Sequence, residues 1–309
     1  MNKTKIYEIL SEALGNEYVR LDELMSKHTT FKIGGKADIF VTPQNITSLK
    51  DVIDICNREN VTFYIIGKGS NLLVGDKGFR GVIICLYNTL DNVDIVDNNE
   101  NVSVVTAGAG IMLSKLANII ADHSLEGFEF ASGIPGTLGG AVTMNAGAYG
   151  GEIKDCIVSA KVMDRQGNIL ELDKDALELG YRKSVIMTKE YIVLESTFEF
   201  KKGQISAIKD KMYDLNQRRK DKQPLEYPSA GSTFKRPEGY FAGKLIMDSD
   251  LRGYSVGDAC VSEKHCGFVI NKGNASAKDV KDLMTYVDNT VYEKFGVHLE
   301  PEVRMIGEF

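Results

Sequence analysis

Residues 132–152 read SGIPGTLGGAVTMNAGAYGGE, and this stretch decides the fold of the chain. Glycine occupies seven of the positions from 132 to 151, and apolar residues such as Ile134, Leu138 and Val142 are interleaved with them. The apolar residues indicate a packed segment rather than a flexible linker. A packed, glycine-dense backbone favours a flat or anionic group lying against it, and a purely structural Ω-loop is the alternative.

Another glycine-rich stretch, GKGSNLL at residues 67–73, follows an apolar run that ends at Ile66 and is interpreted as a tight turn after a strand. Glycines let the backbone approach an anion closely, and successive N–H groups in such a turn form an anion-binding nest. The stretch is neither a P-loop nor a dinucleotide fingerprint, since it lacks GxxxxGK[ST] and a third glycine. A phosphate site and a plain strand–turn therefore both remain open.

The composition excludes several classes of function. The 309 residues carry a formal net charge of −6, which argues against a non-specific nucleic-acid binder. Five scattered cysteines form no CxxC motif, so we expect reduced thiols and no metal centre. No apolar run reaches membrane-spanning length, and the first residues lack a secretory h-region, so we expect a cytoplasmic protein. The oligomeric state is not readable from the sequence.

Hydrophobic spacing predicts helices and strands in three packed units after an N-terminal helix. The expected domain ranges are 1–29, 30–90, 91–203 and 204–309. Helices are expected over 3–14, from near Thr47, and over 113–120, 205–215, 242–247 and 277–295. Strands are expected over 61–66, 81–86, 102–107, 157–164, 169–172, 192–200, 267–271 and 303–306. Residues 127–153 show almost no periodicity.

Several strings occur together and in a fixed order: TFKIGG (30–35), GKGSNLL (67–73), SGIPGTLGGAV (132–142), NAGAYGGE (145–152), YRKS (181–184), GSTFKRP (231–237) and LEPEVRMIG (299–307). The set resembles the UDP-N-acetylenolpyruvoylglucosamine reductase family of bacterial peptidoglycan synthesis, over essentially residues 29–307. The resemblance implies an α+β fold: a two-lobed FAD-binding domain of the vanillyl-alcohol-oxidase (PCMH) type and a C-terminal α/β substrate-binding domain. The compact third unit is similar to the shorter family type, so the loop tyrosine of the longer type is not assigned.

The resemblance also implies a reaction. An enzyme of this family reduces the enolpyruvyl ether of a UDP-sugar to UDP-N-acetylmuramate, with NADPH as the hydride source and FAD as cofactor, and so serves cell-wall synthesis, cell shape and cell division. It implies that Ser232 donates the proton, and that Arg182 grips the substrate carboxylate and stabilises the enolate. Glu302 is expected to orient the substrate or to assist proton delivery, and Glu300 to be a surface residue.

Further residues are assigned to the ligands. Those expected to bind FAD are Gly67, Lys68, Gly69, Ser70, Asn71, Leu72, Ser132, Gly133, Ile134, Pro135, Gly136, Gly139, Gly140, Val142, Asn145 and Gly147. Those expected to bind the substrate are Tyr181, Lys235, Arg236 and Lys244. The basic run at residues 218–220 is either an anion site or a set of charges that complements a helix dipole.

Two alternatives stand beside this interpretation. One is a different flavoenzyme of the same fold that holds FAD non-covalently, since neither glycine-rich stretch contains a histidine for covalent attachment. The other is a non-enzymatic binder of flavin or a nucleotide sugar. The joint presence of Arg182, Ser232 and Glu302 argues against the binder, because binding alone does not require all three.

Overall fold

The computed structural model describes residues 2–309, which divide into two compact units. Unit 1 contains the residues up to Arg20, Phe40–Lys68 and Val82–Arg219, and unit 2 contains Leu21–Ile39, Gly69–Gly81 and Lys220–Phe309. Each unit draws on segments that are distant in sequence. The expected division into ranges 1–29, 30–90, 91–203 and 204–309 therefore stays a prediction.

Polar side chains cap the first turns of four helices, through Asn2, Asn45, Ser184 and Ser276. The helices in residues 2–309 are α1 (Lys3–Leu14), α2 (Ile46–Arg58), α3 (Leu113–Asp122), α4 (Leu138–Met144), α5 (Val185–Lys189), α6 (Ile205–Lys222), α7 (Ala242–Asp248) and α8 (Ala277–Phe295). Short 3-10 turns lie at Asn16–Tyr18, Met25–Lys27, Glu129–Ala131 and Ile153–Asp155. At the start of α8, the Ser276 hydroxyl accepts from the Asp279 amide at 3.0 Å, and the Asp279 carboxylate accepts from the Ser276 amide at 2.9 Å. This reciprocal cap satisfies two otherwise unpaired amides.

The strands are β1 (Val19–Leu24), β2 (Lys36–Val41), β3 (Phe63–Ile66), β4 (Leu72–Val74), β5 (Phe79–Cys85), β6 (Val93–Asn99), β7 (Val102–Gly108), β8 (Leu125–Glu126), β9 (Gly147–Ala148), β10 (Gly151–Glu152), β11 (Ile157–Met163), β12 (Ile169–Asp173), β13 (Ile192–Lys202), β14 (Ser255–Val256), β15 (Ala259–Val261), β16 (Val269–Asn271) and β17 (Arg304–Ile306). The sheet orders are β1-β2-β5-β3, β12-β11-β13-β7-β6 with β8 on β13, β14-β15-β16, β10-β9 and β17-β4. The pairs β3–β5 and β17–β4 are parallel. The chain is therefore α+β, as predicted.

Each unit has its own hydrophobic core. In unit 1, Phe128, Phe198 and Phe200 pack together with ring centroids 5.7 to 6.0 Å apart. In unit 2, one face of α8 is buried through Val280, Leu283, Met284, Val287 and Val291, at the spacing of three and four that a helix requires. Two separate cores explain why the two units are compact in themselves.

Several elements differ from the sequence expectation. Helix α4 lies inside the stretch that showed almost no periodicity, because two of its seven residues are glycines and it is too short to display a face. Strands β1 and β6 were not predicted, since most of their side chains are exposed and the alternation that marks a half-buried strand is weak. Helices α1 and α8 have the predicted bounds.

Within residues 2–309, no helix combines the length and the apolar character needed to span a membrane.

Candidate functional site

The first glycine-rich stretch connects β3 to β4, and unit 1 gives way to unit 2 between Lys68 and Gly69. Lys68 places its ammonium 4.1 Å from the centre of the Tyr87 ring. Gly69 has φ +65°, and a β-carbon there would stand 2.1 Å from the His28 carbonyl oxygen. The Gly69 carbonyl accepts from the Thr30 amide at 3.2 Å. Glycine is therefore required at position 69 both by conformation and by space.

Gly67 touches the second glycine-rich stretch. A β-carbon on Gly67 would stand 2.0 Å from the Thr137 hydroxyl oxygen, and Thr137 is 3% exposed. Thr137 is the N-cap residue of α4, yet its side chain makes no capping hydrogen bond. Gly67, the first residue of one stretch predicted to hold the ligand, thus lies in direct contact with the other stretch within unit 1.

The second stretch is fixed along the start of α3 by backbone hydrogen bonds. The Gly136 carbonyl accepts from the Leu113 amide, and the Leu138 and Gly139 amides donate to the carbonyls of Ile111 and Ala109, all at 2.8 to 2.9 Å. A β-carbon on Gly139 would stand 3.0 Å from that of Ala109. Glycine at 139 therefore allows α4 to pack closely on the segment before α3.

Other residues of the second stretch serve different purposes. The Ser132 hydroxyl donates to the Glu129 carbonyl at 2.8 Å, Ile134 and Val142 pack in the unit 1 core, and Pro135 is exposed. Gly140, in the first turn of α4, is exposed, and a β-carbon there would meet only the Thr137 hydroxyl, at 3.8 Å. This face of α4 therefore presents bare backbone to open space, as a flat ligand requires.

Arg182 stands on a tight turn of two central residues. Gly180 and Lys183 exchange backbone hydrogen bonds at 3.0 and 3.2 Å, which leaves Tyr181 and Arg182 at the tip. Arg182 has φ +53°, a conformation that residues other than glycine adopt rarely. Its guanidinium carbon lies 5.1 Å from the centre of the exposed Tyr181 ring. Strain of this kind is typical of functional sites.

Asn145 ties this turn to the second glycine-rich stretch. The Asn145 amide group donates to the Gly180 carbonyl at 3.0 Å and to the Glu152 carboxylate at 2.8 Å, and its carbonyl accepts from the Lys154 amide at 2.9 Å. Asn145 is fully buried and has φ +45°. Its side chain is therefore occupied in positioning the Arg182 turn.

Glu152, which accepts a hydrogen bond from Asn145, places a negative charge near the Arg182 turn. The hydrogen bond from the Lys154 ammonium, 2.9 Å away, is the main influence that lowers the pKa of the Glu152 carboxyl, and the Asn145 amide and the Arg182 charge lower it further. Burial acts in the opposite direction. Glu152 is therefore ionised at neutral pH and attracts the Arg182 guanidinium electrostatically.

Ser232 and Glu302 are brought together in unit 2. The Glu302 amide donates to the carbonyl of Thr233, next to Ser232, at 2.8 Å, and Phe234 and Pro301 form an antiparallel bridge. Ser232 is half-buried. The preceding Gly231 has φ +77°, and a β-carbon there would meet no heavy atom within 4 Å. The turn that carries Ser232 therefore faces open space.

Asn71 joins this pair from the first glycine-rich stretch. Its amide group donates to the Glu302 carbonyl at 3.0 Å, and its own carbonyl accepts from the Arg304 amide at 3.0 Å. Leu72 then pairs with Arg304 as β4 and β17 run parallel. The two predicted residues Asn71 and Glu302 are thus held on adjacent backbone segments by two hydrogen bonds and by the pairing of β4 with β17.

The remaining predicted substrate residues lie at the surface and have protein partners. Lys235 is paired with Glu300, which is exposed as expected. The Arg236 guanidinium lies 3.9 Å from the centre of the Phe241 ring. The Lys244 ammonium lies 2.7 Å from the Asp248 carboxylate, one helical turn away.

Comparison with known proteins gives the chain a family. A family model described as "FAD binding domain" matches residues 37–173, and one described as "UDP-N-acetylenolpyruvoylglucosamine reductase, C-terminal domain" matches residues 223–306. The UDP-N-acetylenolpyruvoylglucosamine reductase of Lachnoclostridium phytofermentans is 58% identical over 308 residues, which cover 100% of this chain and 99% of that protein. The chain belongs to the UDP-N-acetylenolpyruvoylglucosamine reductase family.

Other members of the family agree over the same length. The reductase of Clostridium novyi is 54% identical, over 97% of this chain and 95% of its own. The crystal structure of the Thermus caldophilus reductase superposes with a TM-score of 0.78 at 32% identity, over 94% of this chain and 100% of its own. The predicted order, an FAD-binding domain followed by the C-terminal domain of this reductase family, is confirmed.

Sequence reasoning missed Thr137. It stands between predicted FAD-binding residues but was not itself selected, although a threonine directly before a helical Leu-Gly-Gly run is an N-cap signal. Its contact with Gly67 depends on the packing of two distant segments, which no local pattern shows.

Proposed function

We propose that the chain reduces UDP-N-acetylglucosamine enolpyruvate to UDP-N-acetylmuramate, with NADPH as the source of hydride and FAD as cofactor. The observation that carries the proposal is the hydrogen bond from the Glu302 amide to the Thr233 carbonyl, which holds Ser232 and Glu302 on neighbouring segments. The full-length similarity to reductases of this name supports the same reaction.

The glycine-rich stretches fit FAD. They touch each other at Gly67 and Thr137, and they expose bare backbone at Gly140, so a flat group that carries phosphates finds close access to both. We assign the FAD contacts to residues 67–72 and to the predicted positions between Ser132 and Gly147, except the fully buried Val142 and Asn145. When bound, FAD supplies the transfer of hydride between NADPH and the substrate.

Arg182 would hold the carboxylate of the enolpyruvyl group. Its planar guanidinium suits a two-oxygen acceptor, and charge that develops on the carboxylate side of the substrate during reduction is stabilised by the same group. The tight turn and the Asn145 contacts restrict where the guanidinium can point. A preorganised cation of this kind stabilises the transition state without reorganisation.

Ser232 would deliver the proton to the carbon next to the carboxylate. A hydroxyl is a weak acid, so it donates only when that carbon has become strongly basic after hydride addition to the methylene carbon. The open space beside Gly231 gives a substrate access to this hydroxyl. Glu302 would orient the substrate or assist the proton transfer, since its backbone is fixed by both Thr233 and Asn71.

The substrate's diphosphate needs cations. We assign Lys235, Arg236 and Lys244 to it, with Tyr181 as a further contact. Lys235 and Lys244 would exchange or share their carboxylate partners, and surface ion pairs cost little to break. We place the reaction in the cytoplasm, where the five unpaired thiols of the chain stay reduced.

The visible absorption of the purified protein tests the proposal. Oxidised flavin absorbance that bleaches on anaerobic addition of NADPH and returns on addition of UDP-N-acetylglucosamine enolpyruvate is the expected result. A protein that bleaches but is not reoxidised by this substrate would be a different flavoenzyme. A protein that binds flavin and does not bleach would be a binder.

A further inference from the structure

Arg219 is a half-buried cation without an ion pair. It lies in the last turn of α6, and none of the ion pairs among residues 2–309 includes it. Its neighbour Arg218 behaves as a surface residue: its guanidinium lies 2.8 Å from the Asp214 carboxylate, and its side chain is 58% exposed. The two adjacent arginines therefore have different environments.

The Arg219 side chain lies against the second glycine-rich stretch. A β-carbon on Gly133 would stand 3.2 Å from Arg219 Cδ and 3.4 Å from Nη1. One turn earlier on α6, the Asn216 amide group donates to the Ser132 hydroxyl at 3.2 Å. The end of α6 is thus packed on the start of this stretch within unit 1, and Asn216 Oδ1, 2.5 Å from the β-carbon position of Gly133, lies there together with the guanidinium.

This position is unfavourable for a cation in the protein alone. Burial lowers the pKa of the Arg219 guanidinium, and the electrostatic influence of Tyr149 opposes this effect only in part. A charge withdrawn from water without a paired anion costs free energy. An anionic ligand beside Gly133 would remove that cost.

We propose that Arg219 binds a phosphate group of a nucleotide ligand held against Gly133. This inference rests on the proposed function, whose three nucleotide ligands all carry a diphosphate. The guanidinium offers two parallel donors that match phosphate oxygens, and the substrate carboxylate is already assigned to Arg182. Because Gly133 belongs to the stretch assigned to FAD, the FAD diphosphate is the first expected source.

The test compares three full-length variants: Arg219→Gln, Arg219→Lys and, as the matched control, Arg218→Gln. Release of FAD from the holoenzyme is followed by flavin fluorescence, and binding of UDP and of NADP⁺ to the oxidised holoenzyme by calorimetry. Arg219→Gln is expected to raise the dissociation constant of one ligand by roughly 10- to 100-fold, because one charge-assisted contact is lost. Arg219→Lys is expected to be intermediate, and Arg218→Gln to stay within about twofold of the wild type.

The ligand whose affinity falls identifies the source of the phosphate: FAD, the UDP-sugar or the nicotinamide nucleotide. Thermal unfolding of the FAD-free chain separates an effect on ligand binding from an effect on packing. In Arg219→Gln the melting temperature is expected to be unchanged or raised, because the variant removes an unpaired half-buried charge. If all three affinities of Arg219→Gln match the wild type, the proposal is overturned, whether or not the melting temperature falls. If the wild-type holoenzyme fails to turn over the proposed substrate, the proposed function fails independently of Arg219.

Discussion

Gly67 and Thr137 lie so close that a single β-carbon on Gly67 would stand 2.0 Å from the threonine hydroxyl. One residue leaves strand β3 and the other begins helix α4, so their contact places the first residue of one glycine-rich stretch against the other stretch within unit 1. No side chain larger than hydrogen fits at position 67 unless the Thr137 side chain moves.

Gly67→Ala is expected to destabilise the protein by about 1–3 kcal/mol, the usual cost of overpacking, and to lower its FAD content. Chemical unfolding and the flavin-to-protein absorbance ratio measure the two effects. In the background of Thr137→Gly the penalty of Gly67→Ala is expected to shrink, since the clashing side chain is gone. An equal penalty in both backgrounds would contradict the contact.

Gly140→Ala is expected to separate folding from cofactor binding. The added methyl group meets only Thr137 Oγ1, at 3.8 Å, and alanine favours a helix, so the FAD-free protein gains up to about 1 kcal/mol. The FAD dissociation constant is expected to rise, because the methyl group occupies the face assigned to the ligand. Unchanged FAD affinity would show that this face of α4 is not the FAD surface.

Ser232→Ala is expected to affect one half-reaction. Anaerobic stopped-flow absorbance should show flavin reduction by NADPH at nearly the wild-type rate and reoxidation by substrate slowed by roughly 10²- to 10⁴-fold, the range of general-acid contributions. Ser229→Ala, three residues earlier in the chain, is the control and should retain both rates. Equal slowing of both half-reactions by Ser232→Ala would indicate a structural role.

The two glutamates near the C-terminus are expected to differ. Glu302→Gln should lower kcat by about 10²-fold, since a group near the reacting atoms loses its charge. Glu300→Gln removes only a surface pair with Lys235, so kcat and the melting temperature should barely change. Steady-state kinetics of both variants checks the assignment, which a reversed order of effects would overturn.

The buried thiols are expected to react slowly. Burial raises the pKa of Cys56 to about 12 and that of Cys85 to about 11, from an ordinary value of 9.0. Because these folded-state values lie above the unfolded ones, the stability from the protonated thiols is fully present below pH 9 and is lost as the pH rises toward the folded values. Iodoacetamide labelling at pH 8, followed by mass spectrometry, should modify both cysteines only after unfolding. Rapid labelling of the native protein would contradict their burial.

The sequence by itself determined the family, the helix bounds of α1 and α8, and the identity of the residues assigned to chemistry. Motifs such as GKGSNLL, YRKS and GSTFKRP are local, so their order along the chain carries this information. Amphipathic spacing sufficed for α8 because one full face is buried. Hydrophobic spacing was insufficient for α4, which is too short to show a helical period, and for β6, whose side chains are mostly exposed.

Only the tertiary structure decided which of these motifs meet. The contact of Gly67 with Thr137, the hydrogen bond between Glu302 and Thr233, and the burial of Arg219 but not Arg218 all join or separate residues through backbone segments distant in sequence. Such contacts arise from chain packing and from hydrogen bonds between neighbouring segments, which have no local signature. Residue type selects the chemistry of each group, and long-range packing selects its neighbours, its exposure and therefore its charge environment.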